Sequence, residues 1–184
     1  MYKFPPVPAL VSRGRGHVME LLIPGLILVG LMVYASTKIK KIAAKALESE
    51  KVETPDYAIS KPEGFINVVS PDDGLLFRAY TKEFADEGAS KFRKAEATIR
   101  VLRATDAARI CDELKHFAGF DSYDTAAGRV VRVEAEDEGV SLIQMLKLIP
   151  KDGDVYQLRI DTPAECRDEY DPAIRELIDS FELR

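Results

Sequence analysis

The stretch "VSLIQMLKLIPKDGDVYQLRIDTP", residues 140–163, decides how the chain folds. Its two flanks, VSLIQMLKLIP and DVYQLRID, each read as a strand, and Asp152-Gly153 between them is a strong hairpin signal because a two-residue turn of the favoured hand needs residues that accept positive φ. An antiparallel pair is therefore expected, and its neighbours extend it. Upstream, "GRVVRVEAE", "ATIRVLRA" and the alternating "LLFRAYTKEF" read as further strands, and "YAISKPEGFINVV" as a short strand broken by a Pro-Glu-Gly turn.

Two helices accompany these strands. Thr105-Asp106 opens one whose apolar residues Ala107, Ile110, Leu114 and Phe117 keep helical spacing up to Gly119. The second is expected to start with Asp171 as N-cap and Pro172 in the first position, with Ile174, Leu177, Ile178 and Phe181 on one face. The fold class is α+β, an antiparallel β-sheet flanked by helices, over residues 57–184.

Charge divides the 184 residues into two parts. Residues 1–45 hold seven Lys/Arg against one acid, whereas the rest holds 19 basic and 30 acidic residues, so a basic stem precedes an acidic body. An acidic body whose cations are scattered among acids along the sequence argues against nucleic acid as a partner. A basic stem beside an apolar run suits anionic lipid headgroups.

That apolar run is Leu21–Thr37, uncharged over 17 residues, nine of them Leu, Ile or Val. At about −0.3 to −0.6 kcal/mol each, those nine favour insertion, while Pro24, Gly25 and Gly30 erode the gain. The run reads as the core of a transmembrane helix over residues 19–37, with Leu21, Leu22, Ile23, Leu26, Ile27, Leu28, Val29, Leu31, Val33 and Tyr34 facing lipid. A signal-peptide reading rests on Arg13 and Arg15 before the run and on Val33-Tyr34-Ala35 as a small-x-small site. The lysines that follow behave instead as a stop-transfer flank, which favours an uncleaved anchor. A buried core helix lacks the polar residue expected every third or fourth position.

Beyond the run, Lys38, Lys40, Lys41 and Lys45 are placed at the headgroups, and Ile39, Ile42, Ala43, Ala46 and Leu47 form one stripe of an amphipathic stalk. Stalk and linker together take residues 38–56. Three cations precede the span and five follow it, which puts the body on the cytoplasmic side, with a periplasmic or lumenal body as the alternative. The tail, residues 1–18, contains Pro5, Pro6 and Pro8 in an extended segment that exposes Tyr2 and Phe4 to a groove on a partner.

The order of elements, with "KPEGF" at the first strand, "DGDVYQLRIDTP" at the hairpin and "EYDPAIRELIDSFEL" at the end, resembles the PsbP-like family over residues 57–184. That family takes in an extrinsic photosystem subunit, related bacterial lipoproteins and a Ran-binding nuclear import factor. The most specific part of the resemblance is Tyr170, Pro172 and the run Ile178-Asp179-Ser180-Phe181. It implies an α/β/α sandwich and an accessory or assembly role in a membrane complex, photosynthetic or respiratory, and not an enzyme.

The residues themselves offer little chemistry. Glu113 and His116 have the spacing of half a di-iron site, but the chain lacks the second half, so His116 reads as a surface residue. Cys111 and Cys166 have no C-x-x-C spacing and read as small buried hydrophobes. Glu134, Glu136, Asp137 and Glu138 are weak metal candidates, because strand alternation throws Glu134 and Glu136 to one face and Asp137 to the other. No cofactor is expected. A membrane-tethered ligand or metal binder that uses this acidic run is the alternative to the accessory subunit.

Overall fold

The computed structural model describes residues 15–69, 74–84, 92–137 and 139–184, with side chains from Pro24 onward except at 83, 84 and 92. The chain divides into two compact units between Ala44 and Lys45. The first contains most of α1, Arg15–Leu47, an unbroken helix that carries Pro24 within it.

The second unit is an α+β fold with three antiparallel sheets. Its strands, in order, are β1 (Glu50–Glu53), β2 (Tyr57–Lys61), β3 (Ile66–Asn67), β4 (Phe77–Tyr80), β5 (Glu83–Phe84), β6 (Phe92–Arg93) and β7 (Glu96–Leu102). After helix α2 (Ala107–Leu114) come β8 (Ala118–Thr125), β9 (Gly128–Asp137), β10 (Val140–Lys151) and β11 (Asp154–Pro163). A 3-10 turn leads into α3 (Arg167–Ser180), and β12 (Glu182–Leu183) follows. The main sheet has the order β3-β4-β7-β11-β10-β9-β8, a second has β1-β2-β12, and β5 pairs with β6.

The hairpin of residues 140–163 is the centre of this sheet. Asp152 and Gly153 both take positive φ, at 55° and 84°, which is the turn that matches the right-handed twist of its strands. Ten cross-strand pairs, Leu142–Pro163 through Lys151–Asp154, follow from that register. One row runs straight across seven strands as Asp121, Arg132, Met145, Ile160, Ala97, Ala79 and Asn67.

The two faces of the sheet differ because side chains alternate along each strand. On the first, Phe77, Ile99, Val130, Leu158 and Ile160 pack with Ile174, Leu177, Ile178 and Phe181 of α3 and with Tyr57, Ile59 and Phe65. On the second, α2 covers Val131, Val133, Leu146, Leu148 and Val155 with Ile110 and Cys111. The rest of that second face carries no helix among the described residues.

Several expectations need correction. The linker sequence "EKVE" forms β1 and pairs with β2, Glu50 opposite Lys61 and Glu53 opposite Ala58. Helix α2 is capped by Asp106, whose carboxylate accepts from the Ala108 amide at 3.1 Å, but it ends at Leu114 and not at Gly119. The residues after it form β8, an edge strand with exposed side chains on both faces. Helix α3 starts at Arg167 with Asp168 and Glu169 in its first turn, so Asp171 is no N-cap and Pro172 lies inside the helix. Asp171 instead accepts from Arg175 Nε at 2.7 Å.

The described part of α1 does not support the membrane span expected over residues 19–37. Among the described residues, no helix is long and apolar enough to cross a membrane. From Pro24 to Thr37 α1 is apolar, but at ~1.5 Å per residue that is roughly 21 Å against a hydrocarbon core of about 30 Å, and Lys38, Lys40 and Lys41 follow at once. The side chains of Leu21, Leu22 and Ile23 lie outside the described residues.

Candidate functional site

Three surfaces have chemistry to offer. The first is α1. Leu26, Ile27, Leu28, Val29, Leu31, Met32, Val33 and Tyr34 are 55–66% exposed. Because successive helical residues are about 100° apart, this run presents apolar surface in every direction around the axis. The hydroxyl of Thr37 donates to the Val33 carbonyl at 2.8 Å, so the polar group at its end is satisfied within the helix. Lys38, Lys40, Lys41 and Lys45 follow, all exposed and all on α1.

The second is a cleft of about 290 Å³ between α3 and the β8–β10 side of the first sheet face. Tyr123, Ile143 and Met145 form its floor, Ile174 and Ile178 one wall, and the Asp171–Arg175 ion pair part of its rim. Tyr123 stands on β8, the strand that periodicity does not reveal. Nearby in the register, Arg132 sits directly opposite Met145, and its Nε is buried without a partner among the described residues.

The third is the helix-free part of the second sheet face, built from β4, β7 and β11. Arg78, Thr98 and Arg159 are directly opposite one another on these three strands, and Arg100 is opposite Gln157 one step along. Each arginine is held through its Nε: Arg78 to Glu96 at 2.7 Å, Arg159 to Asp161 at 2.8 Å, and Arg100 to Gln157 at 2.6 Å. Arg93 also donates to Glu96 and lies 3.9 Å over the Tyr80 ring. Burial pushes the Asp161 carboxyl up from its ordinary range, and Arg159 acts against that shift. In sequence the arginines lie far apart, in "FRAY", "TIRVL" and "QLRID", and only strand pairing assembles them.

The residues singled out from sequence fall as follows. Glu134 and Glu136 share one face of β9 and Asp137 takes the other, as alternation requires. Glu134 lies 3.4 Å from Arg132 Nη2. Among the described residues no group of three His, Cys, Asp or Glu is arranged to hold a metal ion. Glu138 lies outside the described residues, as do Tyr2, Phe4, Pro5, Pro6 and Pro8 of the tail. Both cysteines are free and buried, and burial raises the Cys166 thiol above its ordinary value.

Two lysines that the sequence reading did not separate from their strands prove to be helix caps. Lys61 and Lys147 are 1% and 3% exposed. Lys147 donates to the carbonyls of Ile178 and Phe181 at the end of α3, both at 2.7 Å. Lys61 donates to Ala46 at 3.1 Å, to Phe65 at 2.9 Å and also to Glu48, so it closes the last turn of α1. Both stand where a C-terminal glycine motif is absent, and a cation suits the negative end of a helix. Burial lowers the ammonium of each from its ordinary value, with neighbouring acids opposing the shift.

No protein-family model and no curated protein matches the chain. Solved structures with a similar fold include LpqN, involved in cell envelope biogenesis of Mycobacterium tuberculosis, at 15% identity and TM-score 0.49, over 74% of this chain and 90% of that one. The cyanobacterial PsbP of Synechocystis is similar at 10% identity and TM-score 0.46, over 75% and 94%. The Saccharomyces cerevisiae Ran-binding protein Mog1p is similar at 13% identity and TM-score 0.45, over 74% and 96%. The likeness is one of fold.

Proposed function

We propose that this chain is a membrane-anchored, non-catalytic accessory subunit of a larger membrane complex, tethered by α1 and working through the surfaces of its α+β body. The observation that supports this most directly is the run from Leu26 to Tyr34, exposed and apolar around the whole helix. In water such a surface is costly, and monomeric proteins rarely leave a large contiguous apolar patch uncovered. Lipid tails cover it at no cost, and Leu21, Leu22 and Ile23 lengthen the apolar stretch to 17 residues, about 25 Å. A bilayer can thin by the few ångströms still wanting. Lys38, Lys40, Lys41 and Lys45 then lie at the headgroups on the same side as the body, which the positive-inside rule makes the cytoplasmic side. Tyr2, Phe4 and the prolines of the tail contact the complex on the opposite side.

Extraction of the membrane fraction with alkaline carbonate tests the anchor: the full-length chain is expected to stay in the pellet. Recovery in the supernatant overturns the anchor. Size-exclusion chromatography after mild detergent extraction tests the complex. Co-elution with a larger assembly is expected, and elution as a lone monomer overturns the accessory role.

A further inference from the structure

We infer that the cleft between α3 and the β8–β10 side of the sheet binds a small amphipathic acid, an apolar group that carries one carboxylate, with Arg167 holding the carboxylate. This inference concerns the body alone and does not depend on α1 being an anchor.

Unmet polar groups mark the place. Among the described residues two buried side-chain atoms have no hydrogen-bond partner, Arg132 Nε and Thr162 Oγ1. Both stand beside the floor of this cleft: Arg132 on β9 is directly opposite Met145, and Thr162 on β11, 1% exposed, is directly opposite Ile143. Directly opposite residues share a face of the sheet, so both lie on the face that α3 covers. A buried polar group without a partner is costly and rare. Two of them flank one cleft of about 290 Å³, where a bound molecule supplies what the fold does not.

The chemistry of these groups selects the ligand. A guanidinium Nε–H only donates, and a hydroxyl can donate. Arg167, half-buried in the first turn of α3, lines the same cleft, and its guanidinium makes no hydrogen bond or ion pair among the described residues. The 3-10 turn Ala164–Cys166 joins Thr162 closely to Arg167, which puts both at the Ile143 end of the cleft. Arg132 leans the same way, since its Nη2 lies 3.4 Å from Glu134, the residue opposite Ile143. Unmet donors call for acceptor oxygens, and the free fork of Arg167 matches the two oxygens of one carboxylate.

The rest of the cleft is apolar, and the acids around it limit the charge that it accepts. Ile143, Ile174 and Ile178 are buried, Met145 packs against the same core, and Tyr123 is 50% exposed. An alkyl group laid along them leaves water for an apolar bed. Glu134 is paired with Arg132 and Asp171 with Arg175, and Asp121 stands opposite Arg132 on the exposed edge strand. Asp179 lines the cleft about 18 Å along the α3 axis from Arg167. Carboxylates so placed admit a ligand of single negative charge and repel one of higher charge. They also set its direction, with the acid at Arg167 and the apolar end towards Tyr123 and Ile178.

Methyl NMR of the full-length chain in phosphatidylcholine nanodiscs tests the site. Methionine methyl groups are the label, because Met145 is the only methionine in residues 45–184. Hexanoate is the probe, hexanol the uncharged control and N-acetylleucine the counterpart of a peptide end. A saturable shift of the Met145 methyl is expected with hexanoate, and hexanol is expected to bind about tenfold more weakly. Butyrate is expected to bind roughly sixteenfold more weakly than hexanoate, about fourfold for each methylene withdrawn. Arg167→Gln is expected to weaken hexanoate about tenfold and to leave hexanol unchanged, a split that general loss of structure does not produce. Tyr123→Ala is expected to weaken both alike. Arg167 is unbonded and Tyr123 lies half in solvent, so both variants are expected to keep the wild-type melting temperature. Tighter binding of hexanoate than of N-acetylleucine assigns the carboxylate to a free acid, and the reverse assigns it to the end of a peptide. No saturable shift with any of these acids, hexanoate affinity unchanged in Arg167→Gln, or equal affinities for butyrate and hexanoate overturns the site.

Discussion

The ammonium of Lys147 donates to the carbonyl oxygen of Phe181 at 2.7 Å, which puts a buried charge from the central strand β10 against the end of α3. Lys147→Met keeps the stem of the side chain but strips two buried carbonyls, those of Ile178 and Phe181, of their donor. A loss of about 1–3 kcal/mol in unfolding free energy is expected from denaturant titration. The same pair sets a pH dependence. Burial holds the folded-state Lys147 below its ordinary 10.5, so between the folded value and 10.5 the unfolded chain binds the extra proton and stability rises with pH. In the alkaline range the wild type is therefore expected to gain on Lys147→Met as pH rises towards 10.5. A difference between the two that stays flat with pH contradicts this.

Lys61 does for the last turn of α1 what Lys147 does for α3. Its substitution by Met leaves the carbonyls of Ala46, Glu48 and Phe65 without their charged donor. Amide exchange at Gly64, which donates to the Leu47 carbonyl at 2.8 Å, is expected to accelerate before any global unfolding. Protection equal to the wild type at that amide contradicts the capping role.

Gly128 begins β9 with φ at 147°, and a Cβ there would lie 2.3 Å from the carbonyl oxygen of Leu148 on the facing strand. That oxygen belongs to the sheet backbone and cannot move aside. Gly128→Ala is expected to cost on the order of 3 kcal/mol or more, because overpacking adds to a backbone conformation that only glycine adopts at ease. A melting temperature within a degree or so of the wild type contradicts the close approach.

Ala104 is the converse case. It holds φ at 51° while its amide donates to the Asp154 carboxylate at 2.9 Å. A left-handed conformation costs a non-glycine residue about 1–2 kcal/mol, so Ala104→Gly is expected to stabilise the body by up to roughly 1 kcal/mol despite the added freedom of the unfolded chain. A lower melting temperature for the variant refutes this.

For α1, Leu28→Arg places a charge in the middle of the apolar run, at a cost to insertion of about 2.5–3.5 kcal/mol. A shift of the variant toward the carbonate-soluble fraction is expected, and identical fractionation counts against insertion. The substitution leaves the body untouched, so its thermal unfolding serves as the control.

Much of the body is legible in sequence because local chemistry and tertiary structure agree there. Asp152-Gly153 specifies the turn that is found, and the strands on either side contain the apolar residues that the core uses. Where the two part, the reasons are physical. β8, "AGFDSYDT", is an edge strand exposed on both faces, so it has no alternation to read. β1 is "EKVE", a charged edge strand whose backbone pairing outweighs its composition. Pro172 draws the start of α3 to itself, but the acids Asp168 and Glu169 already occupy the positive end of the helix four residues earlier. The arginine face is invisible along the chain, since Arg78, Arg100 and Arg159 come from three strands and share a face only through pairing. Lys61 and Lys147 look like polar interruptions of apolar strands, and nothing in their own neighbourhood names the helix ends that they serve.

The pairing of β12 with β2 has a consequence for the order of events during synthesis. Leu183 lies opposite Tyr57, and the Ser180 hydroxyl accepts from the Ser60 amide across a separation of 120 residues. The small sheet that starts the body is thus completed only by residues made more than a hundred positions later. While the ribosome is still translating, β1 and β2 have an unfilled edge next to a freshly emerged apolar helix. Nascent chains at that stage expose both at once, and the body can close only after residue 183 has cleared the exit tunnel.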